Sequence, residues 1–318
     1  MRSTSTLLAA ALLGTALAGA GCAIAGQDGG SRRPDDAAAG SVQLQLIRNA
    51  TLKLEFAGTT FLVDPLLAER GAYPGFRGTV REELRYPLVD LPVPLAQVLE
   101  VDAVVLTHLH EDHWDEAARA SLRRDLPIFV QDEDDAERVR AVGFTDVRVI
   151  EAQGSSFRGT RLYPTGGRHG TEQMYAIAAL AGRLGHSSGV VFQHPGQRSV
   201  YVAGDTVWAA EVEQAMTRFR PDVVVLNAGH AQLAGIPGSI IMGAEDVLKA
   251  HELLPEAVVV AVHLEAVNHA TLSRAALREF IARHGLPAER VLVPEDGQSF
   301  RWPAGEGHGR QARGPDPR

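Results

Sequence analysis

Four side chains that can bind a metal ion stand in one short stretch of the chain: His108, His110, Asp112 and His113. Zinc, manganese and iron accept imidazole and carboxylate ligands, and two such ions about 3.5 to 4 Å apart can activate water for hydrolysis. By residue frequencies, the pattern H-x-H-x-D-H arises by chance in roughly one chain in a thousand of this composition. The spacing therefore predicts a hydrolytic metal site.

The elements around this stretch should bring its side chains together. The apolar residues 103–107 predict a strand that runs directly into His108. Because side chains two residues apart point the same way in extended backbone, His108 and His110 can meet on one cation. A helix is predicted to follow. We expect Asp112 and His113 in its first turn, facing a second cation.

The rest of the body alternates between strand and helix patterns. Strands are predicted at residues 43–47, 52–56, 60–63, 103–107, 127–130, 147–150, 190–193, 199–203, 223–227, 258–262 and 291–293. Helices are predicted at residues 116–124, 136–142, 210–219, 244–254 and 273–284. Hairpins come first and alternation follows, which favours an α/β fold with two mixed sheets covered by helices, a four-layer αββα sandwich.

Two segments rich in Gly or Pro, residues 66–95 and 166–189, fit neither pattern. Long ordered loops are uncommon unless they serve a function. We expect both to rim the active site, with a plain surface excursion as the alternative for the first.

Residues 107–113, Thr-His-Leu-His-Glu-Asp-His, resemble the signature of the metallo-β-lactamase superfamily. Residues 61–65, Phe-Leu-Val-Asp-Pro, resemble the Asp-Pro turn of the branch that contains L-ascorbate-6-phosphate lactonases and N-acyl-phosphatidylethanolamine phospholipase D. The likeness runs from about Val42 to Trp302. It implies the αββα metallo-β-lactamase fold and a hydrolase with two metal ions.

The resemblance also implies three further metal ligands: His169, Asp205 and His263. His186 and His194 compete for the place of His169. His269 is the alternative to His263. The Gly-Asp-Thr sequence at 204–206 is also compatible with a simple turn or helix cap.

On this resemblance one metal ion is held by His108, His110 and His169, the other by Asp112, His113 and His263, and Asp205 bridges them. The expected cofactors are two divalent ions, zinc first, with manganese and iron as alternatives. Water shared by the ions loses a proton near neutral pH and attacks a carbonyl carbon or a phosphorus. Asp112 belongs to the catalytic set, and His230 or His269 is expected to protonate the leaving group. Those two histidines and Asn268 are candidates for substrate contact, and Asp64 is expected to orient a ligand.

The resemblance makes a lactone or another ester the first expected substrate. The alternative is a phosphodiesterase or a phospholipase D-like hydrolase that acts on phosphoesters. A hypothesis from another class is a secreted metal-binding protein without turnover. A β-lactamase proper is not expected, because the Asp64-Pro65 turn and a body without cysteine favour the lactonase-like branch.

Length and charge narrow the class of partner. The 318 residues suit one large catalytic domain, and 45% are hydrophobic, as in soluble globular proteins. The formal net charge is -8, and no basic stripe follows the chain. We therefore expect a small-molecule substrate and no nucleic-acid partner. The sequence does not determine the oligomeric state, and a homo-oligomer is one of the alternatives.

The chain begins like an exported protein. Arg2 precedes an apolar run at residues 7–20, which is typical of a secretory signal over residues 1–26. Cys22 follows Gly19-Ala20-Gly21, a loose likeness to a lipoprotein box that adds the alternative of a membrane tether. We expect a flexible linker at 27–41, the hydrolase domain at 42–303 and a disordered tail at 304–318. The expected location is periplasmic, extracellular or lipid-anchored.

Overall fold

A computed structural model describes residues 40–304 of the chain. The predicted signal segment with Cys22, residues 27–39 of the predicted linker and residues 305–318 of the predicted tail lie outside the described residues. Within the described part, no helix combines the length and the apolar character needed to cross a membrane.

Fourteen strands are present in the described residues and form two sheets of seven strands each. They are β1 (Val42–Arg48), β2 (Thr51–Phe56), β3 (Thr59–Val63), β4 (Ala103–Val105), β5 (Ile128–Val130), β6 (Val147–Val149), β7 (Ser155–Phe157), β8 (Thr160–Gly166), β9 (Ser188–Gln193), β10 (Val200–Val202), β11 (Val223–Asn227), β12 (Val258–Val262), β13 (Val291–Leu292) and β14 (Ser299–Trp302).

Both sheets are mixed. The first has the order β14-β1-β2-β3-β4-β5-β6, antiparallel from β14 to β3 and parallel from β3 to β6. The second has the order β13-β12-β11-β10-β9-β8-β7, parallel from β13 to β10 and antiparallel from β10 to β7. Parallel strands of one sheet end at the same edge, so residues that follow them can meet there.

Eight helices lie in the described residues: α1 (Leu95–Val98), α2 (Glu116–Ser121), α3 (Glu133–Ala141), α4 (Glu172–Tyr175), α5 (Ala178–Leu184), α6 (Ala210–Phe219), α7 (Ala244–Leu253) and α8 (Arg274–Arg283). The helices α6, α7 and α8 pack on the second sheet, and α2 and α3 pack on the first.

Strand periodicity explains the layers. In β11, Val223 and Val225 pack between the two sheets, whereas Val224 and Leu226 pack under the helices. Successive side chains of a strand point to opposite faces, so one apolar strand can fill both layers. Burying each such side chain contributes about 1.5 to 3 kcal/mol. The predicted four-layer αββα sandwich is confirmed.

The structure differs from the sequence prediction around the histidine motif. Asp112 and His113 are not in the first turn of a helix, because the helix begins at Glu116. Asp115 is its N-cap, and the carboxylate accepts a hydrogen bond from Ala118 N at 2.7 Å. Residues 110–113 instead form a separate turn, closed by His113 N donating to the His110 carbonyl at 2.9 Å.

Several elements were not predicted. The segment 166–189 is not a loop throughout, because it contains α4 and α5. The strands β7, β8 and β14 and the short helix α1 also escaped the patterns. Pro164 and Gly166 are unfavourable in strands, so the sequence of β8 does not look like a strand. The strand β14 forms because it pairs with β1, at the other end of the described chain. Such pairing is a long-range effect that local periodicity does not record.

Candidate metal centre

All seven predicted metal ligands follow the ends of strands and converge at one edge of the sandwich. His108 to His113 follow β4, His169 follows β8, Asp205 follows β10 and His263 follows β12. Their nitrogen and oxygen atoms form three clusters, each with its atoms within 4.8 Å of one another. Two of them share no residue and are called the first group (His108, His110 and His169) and the second group (Asp112, His113 and His263); the third cluster, His108, His113 and Asp205, links these two.

The first group is His108, His110 and His169. His108 Nε2 lies 3.0 Å from His110 Nδ1. The outer nitrogens of the other two rings donate to backbone carbonyls: His110 Nε2 to Arg183 at 3.0 Å and His169 Nδ1 to Ile240 at 2.8 Å. A carbonyl only accepts, so these bonds fix the tautomers and leave His110 Nδ1 and His169 Nε2 free to bind a cation.

The second group is Asp112, His113 and His263. His263 Nε2 lies 3.2 Å from Asp112 Oδ2 and 3.2 Å from His113 Nε2. His113 Nδ1 lies 3.0 Å from a carboxylate oxygen of Asp64, which leaves Nε2 facing the centre. All four residues are buried.

Asp205 lies between the two groups. Its Oδ2 is 3.2 Å from His113 Nε2 and 3.5 Å from His169 Nε2, while its Oδ1 accepts a hydrogen bond from Asn227 Nδ2 at 2.7 Å. It is therefore placed to bridge two cations. The alternative of a helix cap does not hold, because the N-cap of α6 is Ala209.

Gly204 determines how the chain reaches Asp205. Its φ is +68°, and an added Cβ would lie 2.4 Å from the Ser188 carbonyl oxygen. Only glycine fits this turn, because other residues would clash with the neighbouring strand.

Burial keeps the imidazoles of the first group neutral. It lowers the pKa of His110 to about 4, with His169 adding to the effect. It also lowers the pKa of His169 and, more strongly, that of His108. Neutral rings have the free lone pair that a metal ligand needs.

The second group and Asp205 are electrostatically coupled. Burial alone would raise the pKa of the Asp112 and Asp205 carboxyls, but His113 and His263 lower both below the usual range. Burial opposes charge on His113, yet Asp205, Asp112 and Asp64 together raise the pKa of its imidazole. The ionised carboxylates thus favour positive charge at this point, which a bound cation would supply.

The donor set fits divalent cations. Asp112 Oδ2 is buried and makes no well-aligned hydrogen bond, although His263 Nε2 lies 3.2 Å away. A buried carboxylate oxygen without a hydrogen-bond partner is costly unless it binds an ion. Nitrogen and oxygen donors in this mixture suit zinc, manganese or iron.

Three further residues support the ligands. Asp64 accepts hydrogen bonds from Thr107 N at 2.8 Å and Thr107 Oγ1 at 2.7 Å, which aims its carboxylate at His113. The predicted orienting contact of Asp64 is therefore present. Asn49 was missed by the sequence analysis, although it donates to the Asp112 carbonyl and accepts from His263 N. Asn227 was also missed by the sequence analysis. The feature that could have revealed it is a single polar residue at the end of the otherwise apolar strand β11.

A cavity of about 100 Å³ opens at the centre. Both Gly- and Pro-rich segments contribute to its wall, as expected from the sequence. The lining residues are Phe76, Thr79, His110, Asp112, His169, Arg183, Leu184, Asp205, Leu233, Ile240 and His269.

The competing histidines are placed differently. His186 is exposed, and His194 donates to the Pro195 carbonyl, so neither joins the described ligand groups. His269 lines the cavity, and burial lowers its pKa to about 4. A neutral ring is suited to sharing a hydrogen bond with a substrate rather than to donating a proton as imidazolium.

His230 and Asn268 do not line the described cavity. The His230 ring faces Gly243, where an added Cβ would lie 2.8 Å from its Nδ1. Asn268 is fully buried, and both ends of its amide are engaged by residues 76–80. The structure therefore corrects the expected substrate contacts: among these three candidates only His269 reaches the cavity.

Comparisons with known proteins give a family and several relatives. The family described as Beta-lactamase superfamily domain matches residues 59–264. The UPF0173 protein YddR of Bacillus subtilis is 43% identical over 257 residues, which span 80% of this chain and 98% of that protein. The UPF0173 metal-dependent hydrolase Ta0764 of Thermoplasma acidophilum is 25% identical over 206 residues, 64% of this chain and 83% of that protein.

Solved structures agree with this family. The isothiocyanate hydrolase from Delia radicum gut bacteria is similar with a TM-score of 0.79 and 46% identity, covering 82% of this chain and 100% of that chain. A protein described as a possible metal-dependent hydrolase from Veillonella parvula is similar with a TM-score of 0.80 and 46% identity, covering 81% of this chain and 98% of that chain.

Proposed function

This chain belongs to the metal-dependent hydrolases of the metallo-β-lactamase superfamily, and we propose that it hydrolyses small neutral molecules with an electrophilic carbon, isothiocyanates first. The proposal requires a cation centre, a water molecule and an apolar space for the rest of the substrate.

The cavity wall carries this proposal. Apart from the metal-ligand side chains, the wall consists largely of Phe76, Leu184, Leu233 and Ile240. An apolar wall favours a substrate with an uncharged organic substituent, whose burial contributes about 25 cal/mol for each Å² removed from water. Among the lining residues, Arg183 is the one with a permanent positive charge, and its guanidinium already donates to the Arg77 carbonyl.

The relative from Delia radicum gut bacteria supports isothiocyanates as the first substrate class. That protein is described as an isothiocyanate hydrolase, and this chain covers its whole length at 46% identity. An isothiocyanate is small and neutral, and its central carbon is electrophilic. These properties match the apolar wall beside the ligand groups.

The reaction is R–N=C=S + H₂O → R–NH₂ + O=C=S. Water oxygen bonds to the central carbon, the carbon–nitrogen bond breaks, and both water protons finish on nitrogen. Two divalent cations, for which zinc is the first candidate, would lower the pKa of the water and polarise the substrate.

The chain's own residues then have distinct tasks. One cation would be held by His108, His110 and His169 and the other by Asp112, His113 and His263. Asp205 lies close to both sets, next to His113 and His169, and would be shared by the two cations. His269 faces the cavity as a neutral ring and is placed to share a hydrogen bond with the substrate. The apolar wall orients the substituent and excludes water from it.

An ester or lactone is the second candidate, because its carbonyl carbon is also electrophilic and the same apolar wall can accept its substituent. Phosphodiesters receive less support. A phosphodiester carries a negative charge, and Arg183 alone among the lining residues supplies a permanent positive one.

The test compares three substrates on the zinc-loaded protein: allyl isothiocyanate, an aryl lactone and bis(p-nitrophenyl) phosphate. We expect loss of the isothiocyanate with formation of allylamine, abolished by a chelator and restored by zinc. Turnover of the lactone alone would favour the second candidate. Bound metal without turnover of any substrate would contradict the proposal and favour a metal-binding protein.

A further inference from the structure

Asn268 connects two parts of the molecule that meet at the cavity. It follows β12, five positions after His263, and its side chain is fully buried. The segment 66–95, which supplies Phe76 and Thr79 to the cavity wall, lies across from it.

The Asn268 amide makes three hydrogen bonds to that segment. Oδ1 accepts from Phe76 N at 3.0 Å, and Nδ2 donates to Thr79 Oγ1 at 2.8 Å and to the Val80 carbonyl at 2.9 Å. Both donor hydrogens are thereby used. A buried amide with this arrangement specifies the position of the loop it binds, because any shift leaves polar groups unpaired.

The loop position determines where Phe76 lies. The Phe76 ring stacks on Tyr86 with centroids 4.5 Å apart and meets the edge of His269 at 4.8 Å. Phe76 thus forms an aromatic side of the cavity that also includes His269. The bond from Asn268 to Phe76 N holds this side in place.

We propose that Asn268 is a positioning residue that selects the substrate's organic substituent by holding the Phe76 side of the cavity. This inference rests on the proposed isothiocyanate hydrolysis. An aromatic substituent packs against the held ring, so its turnover depends on Asn268. A short aliphatic substituent makes few such contacts and depends on it little.

The metal centre is held by separate bonds. His263 N donates to the Asn49 carbonyl at 2.8 Å. Asp64 and Asn227 hold His113 and Asp205. A neutral substitution at Asn268 should therefore change the wall and leave the cations bound.

The test uses Asn268→Leu, which keeps a similar shape, adds no charge and removes all three hydrogen bonds. For 2-phenylethyl isothiocyanate we expect a loss of about tenfold in kcat/KM, and for allyl isothiocyanate a change within about twofold. Zinc content should equal that of the wild type. An equal change for both substrates, no change, or a gain for the aromatic one would overturn the proposal.

Arg85→Gln is the matched control in the same segment. Arg85 is exposed and donates to the Gly71 and Ala72 carbonyls, away from the cavity lining. Its substitution should leave the ratio of the two substrates unchanged. If Asn268→Leu does not fold, Asn268→Ser provides the same comparison.

Hydrogen exchange separates this proposal from the proposed function, because it needs no substrate. In Asn268→Leu, amides of residues 73–86 should exchange faster than in the wild type, and those of residues 104–113 should not. If the wild type hydrolyses neither isothiocyanate, the proposed function and the substituent selection both fail. Faster exchange would then still support the positioning role, and unchanged exchange would overturn that role too.

Discussion

The two ligand groups are held by different kinds of partner. In the first group, His110 and His169 donate to the backbone carbonyls of Arg183 and Ile240. These carbonyls belong to α5 and to the segment between β11 and α7. In the second group, His113 faces the carboxylate of Asp64, which directly follows β3.

The two groups also differ in exposure. His110 is partly exposed, whereas every member of the second group is buried. A carboxylate partner raises the basicity of an imidazole ligand more than a neutral carbonyl does. The second group should therefore bind its cation more tightly, while the first, beside the cavity wall, should exchange its cation more easily.

Asp205→Asn should have the largest effect, because this residue contacts both groups. Loss of the shared negative charge should reduce kcat/KM by about a thousandfold or more and lower the zinc content of both sites. Steady-state kinetics and elemental analysis measure these effects. Asp222→Asn is the control, because Asp222 binds Ser199 outside the centre and its substitution should preserve activity. Full activity of Asp205→Asn would contradict the bridging role of Asp205.

His169→Ala should break the first group alone. We expect a loss of about a hundredfold in kcat/KM and release of about half of the bound zinc, because the second group keeps its ligands. His186→Ala is the matched control, since His186 is an exposed histidine on the same segment. If both variants lost activity equally, His169 would have no special place in the centre.

Asp64→Asn should weaken the second group by removing the charge beside His113. Asp64 has a φ of +47°, which asparagine also tolerates, so the backbone stays unstrained. Zinc affinity of the tighter site should fall by about 10- to 100-fold. Competition with a fluorescent chelator measures this affinity. An unchanged tight site would mean that the carboxylate does not govern the difference between the groups.

Gradual chelation of the wild type should sharpen the comparison without mutation. We expect metal to leave in two stages, the first group before the second, because its outer partners are neutral carbonyls. Zinc content followed against chelator concentration should show a plateau near half loading. Simultaneous loss of all metal would show that the two groups act as one site.

Arg183→Ala should have the smallest effect. The contact to His110 uses the Arg183 backbone carbonyl, which alanine retains. The lost side chain donates to the Arg77 carbonyl. Zinc content should stay constant and kcat/KM should change by less than about threefold. A loss of zinc in this variant would place the side chain, not the backbone, in support of the first group.

The parallel core and the motif at its edge could be predicted from local pattern. The predicted strand at residues 223–227 matches β11, and the predicted helix at residues 210–219 matches α6. In both segments the pattern of apolar residues is the one that the observed element needs. The short helices α4 and α5 were missed, since Gly182 and Gly185 make their segment resemble a loop. These helices bring Arg183 and Leu184 to the cavity.

The candidate site was predicted unevenly for a physical reason. His108 and His110 are two residues apart after a strand, so their meeting follows from extended geometry. The roles expected for His230 and Asn268 could not be judged from sequence, because they depend on how segments after β11 and β12 fold against residues 66–95. Asn268 was expected to contact the substrate, but it is buried and supports the segment 66–95 by a hydrogen bond to Phe76 N.

The amino-acid sequence by itself determined the ligand types, their spacing in the histidine motif and the alternation of apolar strands with helices, because each is a property of neighbouring residues. The tertiary structure decided which distant residues complete the centre, His169, Asp205 and His263 among them, and which wall faces it. These depend on strand order and on packing between segments that are far apart in the chain, and local sequence patterns carry no information about such contacts.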